Sequence, residues 1–269
     1  LRLVDTLVAP GGDVPRITAT VGDLTVKPEI RKKEIAIPIE AQMTYERLLS
    51  LETFYAQQLG NKGISLTLEY YTASQLFNTN NFGAATNSTV AYTAANIDTI
   101  SFVDDVFKAI ERVRDKGEQP DTVIIPSAVY QRIIQSKKVV DFVVGQLGAG
   151  SHVTTNTLQQ AFAQEGITQV LIGRAQYNNA AKGKKNLARI WANTYIWVGR
   201  AGYKNEITDE GVPIIDGVGA TVFWKPYGLM TAETYKDEKI ESQIVRGKTS
   251  GNPTILNPNA GTLIGTQYS

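Results

Sequence analysis

Residues 101–135, SFVDDVFKAIERVRDKGEQPDTVIIPSAVYQRIIQ, contain the strongest secondary-structure pattern of the chain. An apolar stripe with helical spacing predicts a helix from about Phe102 to Lys116. Ser101 and Asp104 form an approximate capping box before this helix, and Gly117 is a typical C-terminal stop. The members of the stripe are Val103, Val106, Phe107, Ile110 and Val113.

A strand and a second helix follow directly. Thr122 to Ile125 is predicted as a short buried strand that Pro126 ends. Ser127 is predicted as the cap of a helix that runs to about Lys137.

Upstream of this stretch, residues 30–43 alternate between apolar and polar side chains and predict a long, half-buried strand. Because Pro38 has no N–H to donate, this strand is expected at the edge of a sheet or in a projecting ribbon. Residues 48–77 have mostly helical spacing and predict a long helix, in which Gly60 and Gly63 leave a kink or a break as alternatives. The next residues, 78–96, are predicted as a loop or short hairpin.

Downstream, residues 145–156 are predicted as a flexible glycine-rich loop. Thr157 and Gln160 form a capping box for a short helix that ends at Gly166. Gln169 to Gly173 is a predicted strand, and 178–186 a polar loop. Alternating segments predict further strands at 187–198, 218–224 and 231–245.

Both ends of the chain are predicted to lack a core of their own. Residues 1–28 combine proline and glycine with short apolar stretches, and the tail from Gly247 to Ser269 is rich in Gly, Asn, Pro and Thr. Each end therefore needs support from another surface. The basic cluster Arg31, Lys32 and Lys33 is interpreted as a device against edge pairing, a contact for acidic groups of another subunit, or a solvated face.

Composition excludes several classes of protein. The chain has 27 basic and 26 acidic residues and a net charge of +1, so it lacks the basic excess of a dedicated nucleic-acid-binding protein. Without cysteine it has no disulfide, thiolate metal site or cysteine nucleophile. Neither a signal peptide nor a membrane span is predicted. Because the sequence starts at Leu1, an upstream segment stays an open alternative.

We predict no catalytic, cofactor-binding or metal-binding residue. His152, the only histidine, lies in a glycine-rich loop without an acidic residue nearby. Gly247-Lys248-Thr249 resembles the end of a phosphate-binding loop, but Ser242 stands where that motif requires glycine. Asp104 and Asp105 diverge by about 100° on a helix and cannot grip one group together. We interpret the three tryptophans, Trp191, Trp197 and Trp224, as residues that pack in the core or in an interface.

The order of these elements resembles that of Hong Kong 97-type capsid proteins. An arm, the ribbon KKEIAIPI (32–39) and a long helix are similar to the N-arm, E-loop and spine helix of that family. The helix over 103–113, the strand over 123–126, the helix over 127–135 and the strand over 170–173 are similar to its passage from peripheral to axial domain. The terminal strands over 227–245 resemble its return to the peripheral domain.

The resemblance implies an α+β fold of five parts. These are an N-terminal arm (1–28), part of an E-loop ribbon (29–47), a peripheral domain with the spine helix (48–135), an axial domain (136–225) and a return to the peripheral domain with a C-terminal tail (226–269). Some family members join subunits through a lysine–asparagine bond. Lys32 or Lys33 lies in the corresponding element, but no matching asparagine is identifiable and the crosslink is not predicted.

The implied function is structural and not enzymatic. A major capsid protein of this type self-assembles into pentamers and hexamers, which close an icosahedral shell around double-stranded DNA. The resemblance implies weak non-specific contact with packaged DNA and further contacts with portal, scaffold and decoration proteins. It implies no cofactor and no membrane, and a place in the virion after assembly in the host cytoplasm. The loops over 145–156 and 178–186 are candidates for the symmetry axes.

Three alternatives stay open. An encapsulin-like nanocompartment would have the same fold around cargo enzymes. A tail or decoration protein would be a different structural class. A hydrolase with a carboxylate site that the sequence does not reveal is the enzymatic alternative.

Overall fold

The structure is a computed structural model that describes residues 29–45, 50–180, 184–202, 206–207, 213–214, 217–226 and 228–269. The N-terminal arm predicted over residues 1–28 lies outside the described residues.

The helices are α1 (Ile39–Tyr45), α2 (Leu51–Gln58), α3 (Ser65–Leu76), α4 (Thr79–Phe82), α5 (Phe102–Arg114), α6 (Ser127–Ile133), α7 (Lys137–Leu147) and α8 (Thr155–Ala161). A π-helical segment, Leu59–Ile64, joins α2 to α3, and 3-10 turns span Ile97–Thr99, Ala163–Glu165 and Pro258–Ala260. The strands are β1 (Arg31–Pro38), β2 (Thr86–Asn87), β3 (Thr122–Pro126), β4 (Gln169–Gly173), β5 (Gln176–Asn178), β6 (Leu187–Arg189), β7 (Tyr195–Gly199), β8 (Glu206–Ile207), β9 (Pro213–Ile214), β10 (Gly219–Val222), β11 (Thr231–Asp237), β12 (Ser242–Thr249), β13 (Asn252–Ile255) and β14 (Gly261–Gly265).

A five-stranded sheet in the order β2-β14-β7-β3-β4 forms the centre of the molecule. β3 runs parallel to β4 and antiparallel to β7. Because side chains alternate between the faces of a strand, the sheet buries two different apolar sets. One face packs against α5, α6, α7 and α8, and its members include Val123, Ile125, Ile196, Val198 and Ile264. The other face packs against α3 and α4, and its members include Ile124, Trp197 and Leu263.

A second sheet, in the order β1-β12-β11, lies across the junction of α2 and α3. Ile37 and Val245 are buried here against Leu59. Gly247 of β12 faces the π-helical segment, where an added Cβ would lie 2.9 Å from Ile64 Cδ1. The absence of a side chain therefore lets the strand cross the helix closely. The long helix predicted over 48–77 is present, and its two glycines lie in the π-helical part.

The C-terminal tail is the main correction to the sequence-based prediction. Residues 247–269 were expected to lack a core, but β14 lies inside the central sheet between β2 and β7, and all five of its residues are buried. Gly261 pairs with Gly199 and Gly265 with Tyr195. The prediction was wrong because small and polar residues dominate the tail, while its apolar contacts come from distant parts of the chain.

The strand predicted over 30–43 is shorter than expected. β1 ends at Pro38, and α1 begins at Ile39. The Ile39 N–H donates to the carbonyl of Glu241, directly before β12, at 3.2 Å. Beyond it, residues 40–43 have high helix propensity, so the chain turns helical although its apolar residues alternate.

The region 137–156 also differs from the prediction. A helix was predicted to end near Lys137, followed by a flexible loop over 145–156. The structure instead ends α6 at Ile133 and places the additional helix α7 over Lys137–Leu147. Val139 and Val143, four residues apart, are both fully buried and would have indicated this helix.

Three helices begin with a different capping arrangement from the one predicted. Ser101 makes no capping hydrogen bond at α5, because its hydroxyl donates to Asp105 and accepts the Val90 N–H instead of an N–H of the helix. Pro126, and not Ser127, occupies the cap position of α6. At α8 the cap is Thr154, whose side chain and that of Thr157 bond reciprocally to the backbone.

The segment predicted as one strand over 187–198 is divided between two sheets. β6 pairs with β5 in a hairpin, whereas β7 lies in the central sheet. Both faces of β7 are covered, because Ile196, Trp197 and Val198 are all fully buried. The strands predicted at 122–125 and 169–173 are confirmed as β3 and β4.

Candidate assembly surface

β1 forms an outer edge of its sheet. It pairs with β12 along its whole length, from Arg31 opposite Thr249 to Pro38 opposite Ser242. Within the described part of the chain no strand pairs with its other side. The edge position predicted from Pro38 is thus confirmed, and this edge offers backbone donors and acceptors to a further strand.

The three residues of the basic cluster at the start of β1 have different environments. The Arg31 guanidinium donates to the Glu29 carboxylate at 2.5 Å and to the Gly251 carbonyl at 3.0 Å. It also lies 3.9 Å from the centre of the Tyr71 ring, a cation–π distance. Lys32 and Lys33 are exposed. The part of the cluster that faces solvent is therefore the lysine pair.

Charged side chains connect all three strands of this sheet. Arg246 of β12 donates to Glu34 of β1 at 2.5 Å and to Glu233 of β11 at 3.1 Å. Lys248 donates to Glu233 at 2.5 Å. Hydrogen bonds from Lys248 and Arg246 lower the pKa of Glu233, and the hydrogen bond to Glu34 raises the pKa of Arg246. The network therefore joins side chains of β1, β12 and β11.

Beside this edge lies a surface rich in exposed apolar side chains, which we call the α1 surface. Its residues are Met43 and Tyr45 of α1, Phe54 of α2 and Ile240 of the β11–β12 turn. The exposed fractions are 73% for Met43, 51% for Tyr45, 38% for Phe54 and 53% for Ile240. Neither α1 nor α2 has a buried residue. Clusters of exposed apolar side chains are typical of protein interfaces.

Hydrogen bonds hold the three elements of the α1 surface together. The Ile39 N–H donates to the Glu241 carbonyl, which joins the start of α1 to the β11–β12 turn. The Gln42 amide donates to the Glu52 carboxylate at 3.0 Å, which joins α1 to α2. The exposed side chains are therefore presented by a connected unit.

Two loops were predicted at the symmetry axes, and they lie in different parts of the fold: one follows α7 and the other lies between β5 and β6. α7 ends at Leu147, which is 37% exposed, and Gly148 and Gly150 follow with φ of 100° and 92°. Those angles favour glycine. The second predicted loop lies between β5 and β6, where Asn178 pairs with Leu187, and its residues 181–183 are outside the described part of the chain. Their position at an axis stays a prediction.

A buried carboxylate, that of Asp105, organises the segment before α5, a role that the sequence pattern did not indicate. Asp105 accepts hydrogen bonds from the Ser101 hydroxyl at 2.6 Å and from the Tyr92 hydroxyl at 3.3 Å. The Thr89 N–H and hydroxyl donate to its other oxygen. Burial, and then the negative charge of Asp105, raise the pKa of Tyr92 well above its ordinary value. Exposed Asp104, the predicted cap, takes no part in this network.

The sequence motifs considered as catalytic belong to different elements of the fold. His152 is exposed, and its carbonyl accepts a hydrogen bond from the Thr157 hydroxyl at 2.7 Å. Lys248 and Thr249 belong to β12, so no helix follows them as a phosphate-binding loop requires. Across the described ranges no three His, Asp or Glu side chains form a group that could hold a metal ion.

The tryptophans have different environments. Trp197 is fully buried and Trp191 is 7% exposed, which confirms core packing for both. Trp191 also donates its indole N–H to Glu69 at 2.7 Å. Trp224 is 48% exposed.

Of the helices that the structure describes, none has the length and apolar character needed to cross a membrane.

Comparison with known proteins gives matches in structure only. No family model matches the sequence, and no curated protein matches it. Among solved structures, a phage-related protein of Bordetella bronchiseptica matches with a TM-score of 0.66 at 16% identity, over 90% of this chain and 77% of that one. The capsid of cyanophage P-SCSP1u matches with a TM-score of 0.53 at 12% identity, over 96% and 80% of the two chains.

A virus-like particle from Pyrococcus furiosus is also similar, with a TM-score of 0.54 at 9% identity over 88% of this chain and 76% of that one. The matched structures therefore define the class of fold: this chain has the α+β fold of the Hong Kong 97-type capsid proteins, as the order of its elements predicted.

Proposed function

We propose that this chain is a structural major capsid protein of a tailed phage. The observation that carries the proposal is the match of nearly the whole chain to the cyanophage capsid and to the phage-related protein, both with TM-scores above 0.5. In this proposal copies of the chain form pentamers and hexamers that close into an icosahedral shell around double-stranded DNA.

Features of the surface support self-association. The exposed apolar side chains of the α1 surface and the open edge of β1 are both suited to contact a second copy. Obligate interfaces usually bury about 2,000 Å² or more. The chain has a net charge of only +1, so it would hold packaged DNA by confinement and weak contact and not by a basic groove.

The remaining parts of the proposal follow the resemblance. The division into arm (1–28), E-loop ribbon (29–47), peripheral domain (48–135), axial domain (136–225) and C-terminal return (226–269) is proposed with one change. β14 shares its sheet with β3, β4 and β7, so the last residues of the return pack within the central sheet. No enzymatic activity is proposed. The shell is placed in the virion and assembles in the host cytoplasm, with portal, scaffold and decoration proteins as further partners.

The experiment that tests this function is size-exclusion chromatography of the expressed protein followed by negative-stain microscopy. We expect closed particles of uniform diameter that contain nuclease-protected nucleic acid. A chain that stays monomeric at every concentration and salt level tested would contradict the proposal.

An encapsulin-like compartment is the second candidate, supported by the similarity to the Pyrococcus furiosus virus-like particle. The contents of purified particles separate the two candidates. Nucleic acid inside the shell supports the capsid protein, whereas a co-purifying cargo enzyme without nucleic acid supports the compartment.

A further inference from the structure

Three basic side chains follow one another along one side of α5. Lys108 and Arg112 belong to the helix, and Lys116 lies in the turn that continues it. Because they are four residues apart, they recur about every 6 Å along the axis and lie within an arc of about 80°. Lys108 and Lys116 are exposed, Arg112 is half-buried, and Lys108 Nζ donates to the Thr89 hydroxyl at 3.1 Å. We call these three basic residues the α5 stripe.

Arg112 and Lys116 meet the edge of the central sheet at neighbouring positions. Arg112 donates to the hydroxyl of Thr86 in β2 and, at 3.5 Å, to that of Thr262 in β14. Lys116 Nζ donates to the carbonyl of Gly261, the residue before Thr262, at 3.1 Å. The two cations therefore lie close together beside β14, although like charges repel each other.

The positive charge of the α5 stripe is not neutralised by an ion pair. The acceptors of its hydrogen bonds are uncharged hydroxyls and carbonyls, and in the part of the chain that the structure describes no carboxylate forms an ion pair with these cations. Burial, and then the charge of Arg112, lower the pKa of Lys116. Burial also lowers the pKa of Arg112, against the opposing effect of Asp105. A bound anion would relieve the repulsion between the two cations.

Acidic side chains lie on the neighbouring, solvent-facing side of the same helix. Asp104, Glu111 and Asp115 are exposed and lie about 60–100° from Arg112 around the helix axis, away from β14. Glu111 is paired with Arg114 at 2.6 Å. These carboxylates leave the edge of β14 open to an anion, but they lower the affinity of the α5 stripe for one. A weak contact is therefore expected.

The surroundings of the α5 stripe favour a phosphate backbone over a protein as the partner. None of the large apolar side chains that are exposed in the described structure belongs to α5, β2 or β14. The core of a protein–protein interface is apolar, whereas interfaces with DNA are more polar and positively charged. Arg, Lys and Thr side chains are among the groups that contact phosphate. A row of three cations matches a chain of phosphates, whereas a free phosphate ion needs only one or two of them.

We propose that the α5 stripe binds the phosphate backbone of double-stranded DNA, with Lys108, Arg112 and Lys116 contacting phosphates of one strand. The contact is independent of sequence, because phosphates carry no base information. That this DNA is the packaged genome rests on the proposed function, whereas the binding itself is a property of the single chain. In a shell, the exposed side of α5 would face the interior.

The test measures binding of a short, fluorescein-labelled DNA duplex of mixed sequence to the full chain in its unassembled state. Fluorescence anisotropy gives the affinity between about 50 and 200 mM salt, and the slope of log affinity against log salt counts the phosphate contacts. We expect a dissociation constant of about 10⁻⁶–10⁻⁴ M at physiological salt, the usual range for non-specific binding.

Substitutions assign the binding to the α5 stripe. Lys108→Gln and Lys116→Gln each remove one charge from an exposed side chain, so the fold should persist. Each should weaken binding at least about threefold at 50 mM salt and reduce the magnitude of the salt slope by about 0.9. Arg112→Gln should have the same effect, whereas Arg112→Lys keeps the charge and should keep the slope. The matched control is Lys138→Gln, an exposed lysine of α7, which should leave the slope unchanged.

Three results would overturn the proposal. The first is a parent chain that does not bind the duplex, and the second is a salt slope that all the glutamine variants of the α5 stripe leave intact. If such variants also fail to form particles, the stripe contacts carboxylates of a second copy instead. The third is displacement of the duplex by inorganic phosphate at an equal concentration of phosphate groups, which would assign the site to a free ion.

These outcomes are distinguishable from failure of the proposed function. Particles that enclose nucleic acid while the variants bind the duplex as the parent does would contradict this inference alone. A chain that binds the duplex through the α5 stripe but never forms particles would contradict the proposed function alone.

Discussion

Asp105 shows how one buried charge orders a segment that has little regular structure. The 88–101 region contains only a 3-10 turn, and the donors from Thr89, Tyr92 and Ser101 converge on this carboxylate. Because all of these donors lie within 16 positions of Asp105, the network tethers the segment to the start of α5.

Replacing this carboxylate should cost much of the stability of the protein. We expect Asp105→Ala to lower the free energy of unfolding by about 3 kcal/mol, because it leaves several donors without an acceptor in a buried place. Urea unfolding of the unassembled chain measures the change. The control is Asp104→Ala, exposed on the same helix, which should stay within about 0.5 kcal/mol of the parent. Similar losses for both variants would argue against the network.

At the scale of elements, β14 determines whether the central sheet is complete. Leu263 is 2% exposed and packs on the face that meets α3 and α4. Leu263→Ala should lower the free energy of unfolding by about 2–5 kcal/mol, the usual range for a truncated core leucine.

The control for β14 is Ser269→Ala at the exposed end of the tail, which should leave the thermal midpoint unchanged. If Leu263→Ala were as stable as the parent chain, the tail would be a peripheral segment, as the sequence alone had predicted.

The stability of the second sheet, β1-β12-β11, should depend on acid pH through Glu233. Its pKa lies below the ordinary value because Lys248 and Arg246 donate to it. A carboxylate with a lowered pKa stabilises the fold above its unfolded pKa of about 4.3, and this contribution is lost as the pH falls through the folded value.

The comparison of Glu233→Gln with the parent chain measures this effect. The difference in their free energies of unfolding should be present at pH 6 and should shrink as the pH is lowered toward 3. The matched control is Glu238→Gln in the exposed β11–β12 turn. A difference that is constant with pH would show that the charge of Glu233 contributes nothing.

At the scale of the whole molecule, the α1 surface links the fold to the proposed assembly. Two of its most exposed apolar residues, Met43 and Ile240, contribute little to the packing of the single chain. Met43→Glu and Ile240→Glu should therefore abolish particles, since a buried unpaired charge at an interface costs several kcal/mol.

The same variants should leave the thermal midpoint of the unassembled chain unchanged. Negative-stain microscopy and size-exclusion chromatography report the loss of particles. Asp115→Lys, an exposed charge change after α5, is the control and should still assemble. Normal particles from both glutamate variants would remove the α1 surface from the interface.

Periodicity in the sequence determined the elements whose burial follows a local pattern. The stripe of α5 and the apolar run of β3 each need only the residues of that element, and both were predicted within a few residues of their observed bounds. The edge position of β1 followed from the missing N–H of Pro38. The order of these elements was also sufficient for the resemblance to the capsid fold.

Tertiary contacts alone decided the place of the tail and the Asp105 network. β14 is polar and glycine-rich in sequence, but it is buried because its partners in β7 lie more than 60 residues away. A sequence pattern records which residues are apolar in one element. Burial depends on which other elements cover it, and that is settled only when the distant strands pair.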